Sequence, residues 1–211
     1  SFGEERTGIL LRQSNGAYHT QINDILLTAL GCALSELIGQ RVNYVTLEGH
    51  GREEIDNAID VTRTVGWFTT LYPVRLEIKD DIGSSIKQVK ENLRQIPSRG
   101  IGYGALIGYE EGRLPKISFN YLGQFDREGT VRDLGVEPLF WRITNEGSGA
   151  STDVKNFNYN VLDINGWVLD GKLEFRILGR LKGNLTGKIG RLFQKNIEAI
   201  IDHCVSLERS Y

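Results

Sequence analysis

Between Gln21 and Ile38 the residues Ile22, Ile25, Leu26, Ala29, Leu30, Ala33 and Leu37 recur at three- and four-residue spacing. That pattern demands an amphipathic helix whose apolar stripe must be buried. Thr20 is placed to cap its start and Gly39 to end it. Arg41 to Glu48 follows at once, alternating and rich in Val, Tyr and Thr, which predicts a strand ending on an acid. A helix followed directly by a strand is the first unit of an alternation that, if sustained along the chain, gives an α/β layer architecture.

The same alternation continues. Trp67 to Ile78 reads as a strand, with Pro73 placing it at a sheet edge or a bend. Ile82, Ile86, Val89, Leu93 and Ile96 predict a helix stopped by Pro97. The glycine-rich run Ser98 to Gly104 reads as a tight loop or the opening of a short helix. Ile117 to Tyr121 is a short strand, and Phe157 to Ile164 with Trp167 to Leu178 read as a hairpin turning at Asn165-Gly166. Arg127 to Thr152 is uninformative, with a glycine and serine cluster at Asn145 to Ser151 that reads as a mobile loop. Ile189, Leu192, Phe193, Ile197, Ile200, Ile201 and Cys204 close the chain with an amphipathic helix. The fold class is therefore α/β, a mixed sheet covered by helices, in one globular unit of 211 residues.

Charge excludes one class of partner: 25 basic residues against 27 acidic give no excess cation to draw the chain onto nucleic acid or an anionic membrane. No apolar run approaches the roughly 20 residues of a membrane span, and the first residues lack a signal peptide's pattern, so a cytoplasmic location is expected. Cys32 and Cys204 lie in apolar helical patterns and read as reduced core residues. With no methionine the chain carries no initiator, and the expectation is an excised or processed piece.

Chemistry concentrates in Leu47-Glu48-Gly49-His50-Gly51-Arg52-Glu53, directly after the first strand. Loops at strand ends commonly present catalytic groups. Glycines 49 and 51 allow close backbone approach, and Glu48 at the strand end is held more firmly than a loop residue. A carboxylate there can serve as a general base if burial raises its pKa. A solvated charged turn is the plain alternative.

Five segments carry a resemblance. Asn23 to Leu30, Glu48 to Glu53, Arg63 to Thr69 continuing to Tyr72-Pro73, Ile96-Pro97 through Gly100 to Gly104, and Phe119 to Phe125 resemble, in this order, the third to seventh signature motifs of epimerization domains of nonribosomal peptide synthetases. The related condensation domains share the fold but lack the fourth and seventh motifs in this form. The resemblance implies a lobe similar to chloramphenicol acetyltransferase. In the family, two such lobes enclose a tunnel entered by the phosphopantetheine arm of a peptidyl carrier protein. It also implies that the α-proton is handled by a histidine of an HHxxxDG motif in the N-terminal lobe and by the glutamate matching Glu48. No such histidine motif occurs here, where the histidines are His19, His50 and His203. Residues 1–211 thus look like the C-terminal lobe, inactive alone, whose missing partner is the N-terminal lobe.

By the same resemblance Asn120 and Tyr121 lie at the site, where an amide or a phenol can hydrogen-bond the thioester oxygen. Strand alternation lets only one of them point into the tunnel unless a bulge intervenes, and Tyr121 otherwise reads as core. Arg52 either orients Glu48, contacts the pantetheine phosphate or pairs with Glu53 or Glu54. His50 and Trp67 join the substrate-binding candidates, though the family role falls on the glutamate rather than on His50, and Trp67 suits packing. His203 reads as a partly exposed helical residue and Asp24 as a structural contact. No metal or nucleotide is implied, and the phosphopantetheine belongs to the carrier. The alternatives are a condensation-domain lobe and a non-catalytic module that docks a carrier protein. Catalysis by Glu48 requires its carboxylate at the mouth or floor of a groove, not in an ion pair away from any cavity.

Overall fold

The structure, a computed structural model, describes residues 1–110, 112–125, 149, 153, 155 and 159–208. The uninformative stretch 127–152 falls almost wholly outside them. Five strands form one mixed sheet in the order β2-β1-β3-β4-β5, with β1 Val42–Gly49, β2 Thr70–Glu77, β3 Ile117–Gln124, β4 Leu162–Leu169 and β5 Lys172–Gly179. β1, β3 and β4 are mutually parallel, while β2 and β5 run antiparallel at the edges. Pro73 thus sits on an edge strand, as its missing N–H requires.

Alternate residues of the strands, Val45 and Leu47, Val74 and Leu76, Phe119, Leu162 and Ile164, and Leu173, turn into the core. Helices α2 (Ile22–Ile38), α3 (Ile82–Arg94) and α5 (Leu185–Glu208) share that core. Phe193 of α5 meets Phe119 and Phe175 edge-on, at centroid distances of 6.4 and 4.9 Å, the arrangement aromatic quadrupoles favour. α2 is more than amphipathic: Leu27, Thr28 and Leu34 are buried along with the expected stripe.

Gly39 ends α2 in the left-handed conformation, its N–H bonded to Ser35. The start differs from expectation. The cap is Gln21, whose N–H donates to Asp24 Oδ2 at 2.8 Å; the Asp24 carboxylate reaches back and begins the helix one residue after the place Thr20 predicts. α3 opens on Asp81, which accepts from the Ser84 N–H, and its axis stops before Pro97, where a 3-10 turn (Pro97–Gly100) leads into the short α4 (Tyr103–Ile107).

The hairpin turn is corrected. Asn165 and Gly166 lie mid-strand in β4, opposite Arg176 and Phe175, and the turn is Asp170-Gly171, both with positive φ (48° and 69°). Two consecutive left-handed residues are what a two-residue hairpin demands, and Asp-Gly satisfies it as well as Asn-Gly. Moving the turn lets β4 bury Leu162, Ile164 and Val168 on one face. The sequence pattern also missed α1 (Glu4–Arg12). With Phe2 it covers the free edge of β5: the Leu173 N–H donates to Thr7 Oγ1 at 2.9 Å, and the Phe2 N–H donates to the Leu173 carbonyl at 2.8 Å. Such cover removes an edge open to pairing.

Candidate active site

Glu48 is the last side chain of β1 before the chain leaves the sheet at Gly49 and Gly51. In the parallel register Leu47 stands beside Phe119, so Glu48 falls beside Asn120 on the face away from the core. The Asn120 Nδ2 donates to Glu48 Oε2 at 2.8 Å. The neighbouring strands strip part of the water from this carboxylate. That desolvation first, and the charge of Asp163 second, raise its pKa above the usual value. Among the described residues no cation lies within ion-pair distance of Glu48 to offset the shift.

A cavity of about 620 Å³ opens across the carboxyl ends of β1 and β3, the place where α/β sheets present ligands. Because it wraps the strand ends, it receives residues from both faces, and Asn120 and Tyr121 both line it. The ladder between β3 and β4 loses register between Tyr121 and Gln124, so regular pairing stops there. Tyr121 packs against the core with its ring. Its hydroxyl is buried and has no hydrogen-bond partner among the described residues, and burial raises its pKa.

Two of the three remaining residues of the predicted set stand elsewhere. Arg52 turns away from the cavity: its guanidinium donates to the carbonyls of Val61 and of Thr64 (2.9 Å) and lies 4.2 Å from the Phe68 ring centroid. It neither orients Glu48 nor pairs with Glu53 or Glu54, because main-chain acceptors and a ring face already occupy it. Trp67 is 91% exposed and does not line the cavity; β2 begins only at Thr70, so Trp67 has no sheet to pack on. His50 does line it, joined to Glu53 and to the Arg52 backbone.

Asp24 makes the structural contact expected of it, capping α2 through the Gln21 N–H, and it also lines the cavity. Burial raises its pKa against the lowering effect of the Gln21 N–H, and Arg94 lies 3.7 Å away. His203 is the partly exposed helical residue expected, and its Nε2 shares a 2.8 Å hydrogen bond with Tyr18. The signal for the cavity lay in the resemblance itself. Each of the five segments sends residues into its wall: Asp24, Glu48, Tyr72, Arg99 and Asn120 stand for them in order.

Comparison with known proteins agrees with this architecture. Gramicidin S synthase 1 of Brevibacillus brevis is 42% identical over 97% of this chain, and the aligned region is 20% of that protein. Tyrocidine synthase 2 of Brevibacillus parabrevis is 39% identical over 96% of this chain and 6% of that protein. The crystal structure of the epimerization domain from the third module of tyrocidine synthetase B superposes with a TM-score of 0.81 at 38% identity, covering 98% of this chain and 47% of that one. The first condensation domain of the CDA synthetase shares the fold, with a TM-score of 0.59 at 16% identity. The chain therefore spans about half of the solved domain and a small part of the synthetases it matches. The profile of the condensation domain matches residues 2–211, and the chain belongs to the condensation domain family.

Proposed function

We propose that residues 1–211 are the C-terminal lobe of an epimerization domain, and that Glu48 is one of two acid-base groups inverting the α-carbon of an aminoacyl or peptidyl thioester. The observation that carries this reading is the Glu48 carboxylate: at a cavity wall, without a counter-cation among the described residues, and raised in pKa. A base of this kind gains strength as its pKa nears working pH. The close similarity to an epimerization domain, against condensation domains that share only the fold, supports the reading further.

A thioester carbonyl acidifies the adjacent C–H. One group removes the proton from one face, negative charge develops on the thioester oxygen, and a second group returns a proton from the other face. Glu48 supplies one group, and the N-terminal lobe, with its histidine motif, the other. Asn120 is occupied in holding Glu48, so the Tyr121 hydroxyl, without a partner among the described residues, is the better donor for the developing oxyanion. The phosphopantetheine arm belongs to a peptidyl carrier protein and enters with the substrate; this lobe needs no cofactor of its own.

The test is solvent deuterium exchange at the α-carbon of an aminoacyl thioester on its carrier protein, with this chain alone and with the N-terminal lobe added. Exchange with both lobes, lost in Glu48→Gln, is the expected result. Peptide-bond formation in its place would point to a condensation lobe. No turnover, with both lobes folded and associated, would favour a carrier-docking module.

A further inference from the structure

His50 stands beside the proposed base, and an imidazole there invites assignment as a second proton carrier. Its hydrogen bonds point the other way. The Arg52 backbone N–H donates to His50 Nδ1 at 2.9 Å. A backbone amide can only donate, so Nδ1 must offer its lone pair. The Nε2 lies 3.0 Å from Glu53 Oε1; an ionised carboxylate can only accept, so Nε2 must carry the proton. A doubly protonated ring would set one N–H against another at Nδ1.

We infer that His50 is held as the neutral Nε2–H tautomer and is a positioning residue for the Glu48 loop, with no free nitrogen to carry a substrate proton. The role in catalysis rests on the epimerase reading; the tautomer does not. The clamp extends beyond His50. Glu53, whose side chain is only 18% exposed, also faces Arg99 at 3.7 Å. Arg99 is carried on the turn Pro97–Gly100 with left-handed backbone at Ser98 and Arg99 (φ 42° and 49°). Such strain persists only where surrounding contacts over-determine it. Between His50 and Arg52, Gly51 has φ 65°, and a Cβ there would fall 1.6 Å from the Phe68 carbonyl oxygen. The chain leaving Glu48 is therefore pinned by an imidazole, a carboxylate and a guanidinium in series, while Asn120 holds the carboxylate itself.

The first measurement is the ¹⁵N spectrum of the imidazoles of this chain at neutral pH, with His50 assigned by its disappearance in His50→Asn. A protonated Nε2 with a bare Nδ1 is expected. A proton on Nδ1, a cation, or a tautomer mixture would overturn the inference. The second uses α-proton exchange with the N-terminal lobe present. The Asn oxygen of His50→Asn can take the Arg52 N–H, and the Gln nitrogen of His50→Gln can serve Glu53; neither side chain transfers protons. Each is expected to keep kcat within about fivefold of wild type, the factor of one ordinary hydrogen bond. A loss of about a hundredfold or more in both would make His50 an acid-base group and sink the positioning role. Wild-type chain showing no exchange would count against the epimerase reading, and the ¹⁵N spectrum would still decide the tautomer.

Discussion

The amide of Asn120 donates to one oxygen of the Glu48 carboxylate at 2.8 Å, across the parallel pairing of β1 with β3. Neighbouring parallel strands bring the two residues side by side, so the orientation of the proposed base is set by sheet register rather than by a flexible loop. The other carboxylate oxygen accepts no hydrogen bond from the described residues.

Glu48→Gln separates activity from stability. The amide keeps the shape and can still accept from Asn120, but cannot take a proton, so α-proton exchange with both lobes present should fall about a hundredfold to ten-thousandfold. The folded chain holds the Glu48 proton more tightly than the unfolded chain does, because burial and Asp163 raise its pKa. Stability from this group is thus complete below the unfolded pKa and is lost as pH rises through the folded one. The variant should melt slightly higher than wild type at neutral pH, by less than about 2 °C for this partly exposed group. The difference should vanish below about pH 4. Thermal melts across pH check this.

Tyr121→Phe removes a buried hydroxyl that has no partner among the described residues. The free chain should be as stable as wild type or more stable by up to about 1 kcal/mol. Exchange should fall about tenfold to a hundredfold if that hydroxyl meets the developing oxyanion. Paired denaturation and exchange measurements decide it; a stability loss with no loss of exchange would return Tyr121 to the core.

Phe193→Ala should cost about 3–5 kcal/mol in chemical denaturation. The ring is fully buried and holds α5 against Phe119 on β3 and Phe175 on β5. Because Phe119 is the residue before Asn120, loosening this contact should also lower the rate of exchange by the surviving folded protein.

Gly51→Ala tests the loop from the backbone side. Its left-handed φ and the Phe68 carbonyl leave no room for a methyl group, so a destabilisation of at least about 1 kcal/mol is expected. A melt shows the loss, and the ¹⁵N resonances of His50 should shift with the displaced loop.

The layer architecture was legible because burial imposes period: α2, α3 and α5 carry helical stripes, and Arg41 to Glu48 alternates in residue type. What sequence pattern could not rank were equivalent local signals. Asn165-Gly166 and Asp170-Gly171 are both good hairpin turns, and only the need to bury Val168 with Ile164 chooses the second. Thr20 is the better cap by residue type, yet the reach of Asp24 from inside the helix moved the start. α1 was invisible because its few apolar contacts, Leu10 above all, come with a polar surface. At the site, Glu48 and its neighbours were legible through the resemblance. That Asp24 and Arg99 line one cavity was not legible, because they come from segments distant in sequence, brought together only by the packing of α2 on β1 and of the Pro97–Gly100 turn on β2.

Arg52 grips its loop through the carbonyls of Val61 and Thr64 and the face of Phe68. Two of those three contacts read the main chain, which is the same whatever the side chains are. The intervening surface is therefore free for engineering. Ile55 and Ile59, 60% and 55% exposed, can be replaced by cysteine to carry a fluorophore. The reporter would sit on a tethered arm that follows directly on the Glu48 loop, outside the cavity lining.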